Sequence, residues 1–268
     1  MTENVLQQNI EEIVREAASF MTRDFTVESK GTIANQVTSS DVAVERFLKE
    51  QLTRLMPGSG FIAEESGEDH AGVEYLWMID PIDGTANYVR DLACSAVSVG
   101  LYRNMEPFIG VVYNPYRSEL FSARRGAGAT CNGRPIHVSD RDFAHGLFCT
   151  SLSCYHKELA HVNAQILERV YAQCDDFRRF GSAVIELTAL AAGRAELFSE
   201  LSLSPWDHAA GRVIVEEAGG CVASVYDESI DYDRKISFIA ANNRENLEKL
   251  RGIILEAAPE RAAERDEV

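Results

Sequence analysis

"WMIDPIDGTANYV", Trp77 to Val89, is the stretch on which the reading of this chain turns. An apolar run, Leu76 to Ile79, leads into Asp80 and Asp83, with Pro81 between them and Gly84-Thr85 directly after. The run has the length and character of a buried strand, and Pro and Gly mark where it stops. On this reading the strand ends at Asp80 and Asp83 lies in the turn. One acid at a strand end ordinarily meets water, because charged side chains are mostly exposed. Two acids delivered together by an apolar strand are another matter, since carboxylates sharing a cleft repel one another and lose hydration.

The run before it, "GFIAEE" (60–65), is also short and apolar and ends in Glu64-Glu65. If the two strands are neighbours, Glu64, Asp80 and Asp83 converge. A divalent cation resolves their conflict. Magnesium takes oxygen ligands from a few carboxylates, waters and a substrate phosphate, and the carbonyl of Ile82 offers one more oxygen. Far along the chain, "SPWDHAAGRVIVEEAGG" (204–220) puts Asp207 at a helix start. Alone, that is an acid placed favourably on a helix dipole, by ~0.3–1 kcal/mol. His208 reads as a surface or packing histidine and Trp206 as core.

Around these stretches the chain shows a strand-rich half, 1–145, and an alternating half, 146–268, with no repeat and no linker between them. Apolar residues at helical spacing predict helices over 5–21 and 42–56, the second with an N-cap region at Ser40-Asp41. The polar segment 27–41 between them is long enough to form a loop or hairpin over a site. "SAVSVGLYR", "PFIGVVYN" and "ELFSAR" are strands separated by hairpin-length gaps, so largely antiparallel. "RGAGATCNG" (125–133) opens no helix and reads as a hairpin turn, not a nucleotide loop. Strands and helices then alternate to Pro259, after which the tail should fray. The order implies a layered α/β arrangement with mixed sheets in a single domain, 1–268.

The 268 residues carry 42 acids against 26 bases, a net charge of −16. That balance does not suit non-specific binding to nucleic acid or an anionic membrane. No run reaches the ~18 apolar residues of a membrane span, and the polar start is not a signal peptide. Six cysteines without a C-x-x-C pair read as reduced, mostly buried thiols of a cytoplasmic protein. Zincin, P-loop and serine-hydrolase signatures are absent from the sequence. Arg178-Arg179 reads equally as an attractor of phosphate or a solvated strand edge.

Together "IAEES" (62–66), "WMIDPIDGTANYV" (77–89) and "WDHAAGRVIVEEAGG" (206–220) resemble the inositol monophosphatase family of magnesium-dependent, lithium-sensitive phosphatases. "VTSSD" (37–41), "GAGATCNGRPIHVS" (126–139), "RRFGSAVIEL" (178–187) and "AELFSE" (195–200) extend the resemblance over nearly the whole chain. It implies a five-layered αβαβα sandwich and a homodimer. It implies two to three Mg2+ ions: Glu64, Asp80 and the Ile82 carbonyl on the first, Asp80, Asp83 and Asp207 on the second. It implies in-line hydrolysis without a phospho-enzyme, with water activated by Glu64 and Thr85 and the threonine hydroxyl oriented by Asp41. Asp83 and the Gly84 and Thr85 amides would face the phosphate. Gly181, Ser182, Ala183 and Glu200 fall where the family contacts the alcohol.

The substrate implied first is myo-inositol 1-phosphate. Histidinol phosphate, fructose 1,6-bisphosphate and nucleotide phosphates are used by relatives, and a regulatory or RNA-associated binding role is the non-enzymatic alternative. The chain departs from the family pattern at Ala63, Ala86, Tyr88 and Ser39-Ser40, and Ser204 precedes Pro205 where many bacterial members carry lysine. None of these removes a metal ligand.

Overall fold

Leu6, Ile10, Val14 and Ala17 recur every three or four residues, and they form the buried face of the first helix, α1 (Glu3–Ala17). The second, α2 (Ser39–Leu55), starts earlier than the sequence suggested. Its N-cap is Thr38, whose hydroxyl accepts from the Ser40 and Asp41 N–H groups, while the Asp41 carboxylate accepts from Thr38 N at 2.8 Å. Asp41 is therefore the third residue of a capping box and not part of the cap itself. The structure is a computed structural model and describes residues 1–29, 36–69, 72–153, 156–227 and 229–259. The expected fraying tail lies outside the described residues, as does the centre of the 27–41 segment.

The flanks of that segment, β1 (Val27–Ser29) and β2 (Gln36–Thr38), pair antiparallel. Eight strands follow: β3 (Gly60–Ala63), β4 (Gly67–Asp69), β5 (Tyr75–Asp83), β6 (Ala96–Arg103), β7 (Glu106–Asn114), β8 (Glu119–Arg124), β9 (Gly128–Cys131) and β10 (Arg134–Ile136). Among the described residues they make one sheet in the order β10-β9-β8-β7-β6-β5-β3-β4. All its pairings are antiparallel except β3 with β5. "RGAGATCNG" is not one turn: its middle is strand β9, flanked by two successive hairpins.

The second sheet holds β11 (Leu147–Thr150), β12 (Asp176–Arg178), β13 (Leu197–Leu203), β14 (Cys221–Ser224) and β15 (Ile236–Ala241), in the order β12-β11-β13-β15-β14. The remaining helices are α3 (Thr85–Val89), α4 (Ala160–Tyr171), α5 (Ala183–Ala191), α6 (Pro205–Glu217) and α7 (Arg244–Ala257). α1 and α2 cover one face of the large sheet, and α5 and α6 lie between the sheets. α4 and α7 cover the outer face of the small sheet. Across the molecule the layers run helix, sheet, helix, sheet, helix: the expected αβαβα sandwich.

Two details of this frame position the site. Strand β5 does not stop at Asp80; it continues to Asp83, which pairs with Ala96 while Asp80 pairs with Ser98. Three steps on β5 thus match two on β6, a bulge at Pro81, which has no N–H for the ladder. In an unbroken strand residues an odd number apart face opposite sides. The extra residue cancels that alternation, so Asp80 and Asp83 share a face. The second detail is the seat of α6. A Cβ on Gly110 would lie 2.5 Å from the Ala210 carbonyl oxygen, and one on Gly100 3.1 Å from the Ala209 Cβ. These two glycines are cross-strand partners. Their lack of side chains lets α6 lie directly on the large sheet, bringing its first turn to the bulge.

Candidate metal centre and active site

The first turn of α6 carries Asp207. One of its oxygens accepts from the Ser204 N–H at 2.8 Å, closing the N-terminus of the helix. Asp83 is held in the same manner by α5: one oxygen accepts from the Ser182 hydroxyl and the Val184 N–H, both at 2.7 Å. Each helix N-terminus therefore fixes one carboxylate. Asp80, from β5, completes the group. Ligand oxygens of Asp80, Asp83 and Asp207 all lie within 4.8 Å of one another.

Among the described residues none of the three acids forms an ion pair within 4.0 Å. The buried Asp80 Oδ1 has no hydrogen-bond partner among the described residues. Burial, then the charges of Glu64, Asp83 and Asp207, push the Asp80 carboxyl well above its ordinary range. Burial and the charge of Asp83 push Asp207 up to about 7, opposed by the Ser204 N–H and the charge of Lys235. Asp83 is raised by burial, against the hydrogen bonds that hold it. Oxygen donors alone, an orphaned buried oxygen and unbalanced negative charge fit a hard divalent ion such as magnesium.

The acids line a cavity of about 160 Å³. Glu64 stands at its wall just past β3, with its N–H donated to the Ile79 carbonyl at 3.2 Å. The neighbouring Glu65 N–H is fixed by the buried Glu45 carboxylate at 2.8 Å. Ile82, Gly84, Thr85, Gly181, Ala183 and Glu200 line the same cavity. Gly84 is in the left-handed region, φ 88°, and a Cβ there would lie 3.0 Å from the Cys94 carbonyl oxygen. Only glycine meets both demands. The Thr85 hydroxyl lies 3.1 Å from the Ile82 carbonyl oxygen and 3.4 Å from Asp41 Oδ1, acceptors it can share.

Two predicted residues stand behind the wall instead of on it. Asp41 is fully buried and reaches the cavity through Thr85. Ser182 is 1% exposed and spends its hydroxyl on Asp83, so its contact is with an acid of the cluster.

Other expectations are corrected or narrowed. Trp206 is half-buried: it packs against the core cluster of Ile62, Leu76, Met78, Tyr102, Ala209 and Tyr232 and also lines the cavity. His208 is fully buried and stacks on Phe238 with ring centroids 4.8 Å apart. Burial drives its pKa down to about 3, so the ring is neutral packing. Of the described cysteines only Cys149 is buried; Cys94, Cys131, Cys174 and Cys221 are half-buried free thiols. The two arginines divide: Arg178 pairs with Asp176, whereas Arg179 lines the cavity and donates to the Ser151 carbonyl at 3.1 Å.

The sequence reading missed the framework behind the wall that faces Asp80 across the cavity. Glu186, fully buried on α5, accepts from the Phe180 N–H at 2.7 Å and the Gly181 N–H at 3.2 Å. Burial pushes its carboxyl up to about 7, against those two bonds. Asn87 donates to the carbonyls of Cys94 and Phe180, both at 2.7 Å, tying α3 to the same turn. Glu200 is pushed well up by burial and then by the charges of Asp207 and Glu186. Lys235 reaches the cavity from the residue before β15. A lone acid in the apolar run "SAVIELTALAA" was a legible sign of Glu186; nothing local marked Lys235.

The model of the inositol monophosphatase family matches residues 2–258. A curated relative from Salmonella typhimurium, "Nus factor SuhB", is 36% identical over 231 residues, 85% of this chain and 86% of its own. An "Inositol-1-monophosphatase" from Synechocystis sp. is 39% identical over 210 residues, 75% of this chain and 70% of its own. Among solved structures, an inositol monophosphatase from Anabaena superposes with a TM-score of 0.83 at 31% identity, covering 96% of this chain and 97% of that one.

Proposed function

This chain belongs to the inositol monophosphatase family, and from that premise we propose that it is a magnesium-dependent phosphomonoesterase acting on a small phosphorylated polyol, with myo-inositol 1-phosphate the first substrate to test. The observation that carries the reading is the cluster of Asp80, Asp83 and Asp207, ligand oxygens within 4.8 Å and no cation paired to them among the described residues. Glu64, Asp80, Asp83, Asp207 and the Ile82 carbonyl would hold two or three ions. Bound there, magnesium supplies charge that stabilises the transferring phosphoryl group and favours attack by water.

The chain's own residues do the rest. Glu64 accepts a proton from the attacking water. The Thr85 hydroxyl, set by the Asp41 carboxylate and the Ile82 carbonyl, orients that water. Backbone N–H groups opening α3, that of Thr85 among them, face the phosphate oxygens. Glu200 meets the alcohol, and Gly181 and Ala183 shape the wall behind it.

The name of the Salmonella relative supports a second reading, a factor that works by binding. The net charge of −16 weighs against direct contact with nucleic acid. Phosphate release from inositol 1-phosphate, histidinol phosphate, fructose 1,6-bisphosphate and glycerol 2-phosphate, with magnesium and with chelator, decides between them. Magnesium-dependent turnover of at least one is expected. No turnover of any, by protein whose melting temperature rises with magnesium, would favour the binding role.

A further inference from the structure

A second cavity, about 330 Å³, opens from the alcohol end of the first. Ser153, His156 and Arg179 line both, so the two adjoin. Its remaining walls are largely apolar. Ala160, Ala164 and Leu167 stand along one face of α4, spaced four and three residues apart, and Leu152 faces them. Arg179 and Lys157 add positive charge to its rim.

The wall with Leu152 is held in an unusual shape. Leu152 and Ser153 have φ of 60° and 44°, two consecutive non-glycine residues in the left-handed region. Such conformations persist only where surroundings enforce them. Here the buried Asn163 amide donates to the Leu152 carbonyl at 3.1 Å, and Arg179 holds the Ser151 carbonyl. The strained stretch thus forms the step between the two cavities.

We propose that this groove is a subsite for the leaving-group portion of the substrate, and that it takes an alcohol bearing an aromatic or otherwise apolar ring. The inference rests on the phosphomonoesterase reading above and extends its substrate class beyond a bare polyol. The phosphate and the carbon bearing the ester oxygen occupy the inner cavity. Whatever extends beyond Glu200 passes Arg179 and meets Leu152 and the α4 face. A dry cavity of about 150 Å³ is enough to enclose benzene, so the groove has room for one or two rings. A polyol alone would leave its apolar walls to water.

The test uses 1-naphthyl phosphate and glycerol 2-phosphate with magnesium. Ala164 and Ala160 are exposed positions on α4, outside the catalytic set, where a large side chain fills the groove without entering the core. Ala164→Trp and, independently, Ala160→Trp should lower kcat/KM for the naphthyl ester by about tenfold, the worth of one small apolar group shut out of its pocket. Both should leave glycerol 2-phosphate within about twofold. Comparing each variant with wild type on the same ester removes the intrinsic reactivity of aryl esters. Equal falls on both substrates, or no fall on either, would overturn the subsite. Failure of wild type to release phosphate from either ester would instead overturn the phosphatase reading on which it rests.

Discussion

The cavity has two walls of opposite construction. The metal-side wall, Asp80, Asp83 and Asp207 with Glu64, concentrates negative charge and leaves Asp80 Oδ1 unpartnered among the described residues. The alcohol-side wall also carries buried acids, but Glu186 accepts from the Phe180 and Gly181 N–H groups. One wall leaves charge unbalanced and needs an outside cation. The other uses charge to fix its own backbone. Asp83 and Asp207 also accept from backbone N–H groups, so what sets the first wall apart is three acids with ligand oxygens within 4.8 Å of one another and Asp80 Oδ1 left without a partner among the described residues.

The largest expected effect breaks or confirms that distinction. Asp80→Asn should reduce magnesium-dependent phosphate release by roughly a thousandfold, since a misplaced ion forfeits several kcal/mol of transition-state stabilisation. Measured in chelator at pH 7.5, its melting temperature should not fall, because like-charge repulsion goes with the charge. A marked loss of metal-free stability would show that Asp80 is a structural acid after all. Thr85→Ala comes next, with a fall of about a hundredfold on every substrate alike, the lower end for a group that assists proton transfer. A fall confined to one substrate would move Thr85 from water activation to recognition.

The two walls also differ in how legible they were. The acids of the metal side end strands or open a helix, so runs such as "GFIAEE" and "YLWMID" announce them locally. Even there, the bulge that puts Asp80 and Asp83 on one face was not read, because Pro81 looks like a strand terminator until β6 is seen pairing past it. The layered architecture was legible because apolar periodicity and hairpin-length gaps are local signals. The alcohol side is built across long separations. Asn87 reaches Phe180, Asp83 meets Ser182, and Lys235 arrives from the residue before β15 in the second sheet. Only the fold brings such residues together, so spacing in the chain says nothing about them.

A smaller effect tests the alcohol-side acid itself. Glu186 rises from the ordinary 4.5 to about 7. A carboxyl raised in the folded state favours folding while protonated. That contribution is complete below pH 4.5 and is lost as pH climbs through about 7. The full shift corresponds to at most about 3 kcal/mol. Glu186→Gln keeps an oxygen for the Phe180 and Gly181 N–H groups but cannot ionise. In chelator, the stability difference between wild type and variant should therefore move in the variant's favour between pH 4.5 and 7. Parallel pH profiles, by urea unfolding, would show that Glu186 does not titrate in that window.

The smallest effect belongs to Glu200, and its size follows from its surroundings. Glu200 is 8% exposed and raised by burial, then by Asp207 and Glu186. An ion bound at Asp207 relieves the Asp207 part of that pressure and leaves the burial. Glutamine keeps one oxygen to accept from the alcohol and gives up only the charge. Glu200→Gln should therefore weaken kcat/KM for inositol 1-phosphate by no more than about tenfold, the lower end of one hydrogen bond to a charged group at ~1.5 kcal/mol. An aryl phosphate, which offers no hydroxyls at that position, should be hydrolysed at nearly the wild-type rate. A loss of a hundredfold or more on the polyol alone would mean that recognition of the alcohol depends on the Glu200 charge. Equal collapse on both substrates would place Glu200 with Asp80 and Asp83, and the division between the two walls would fail at that residue.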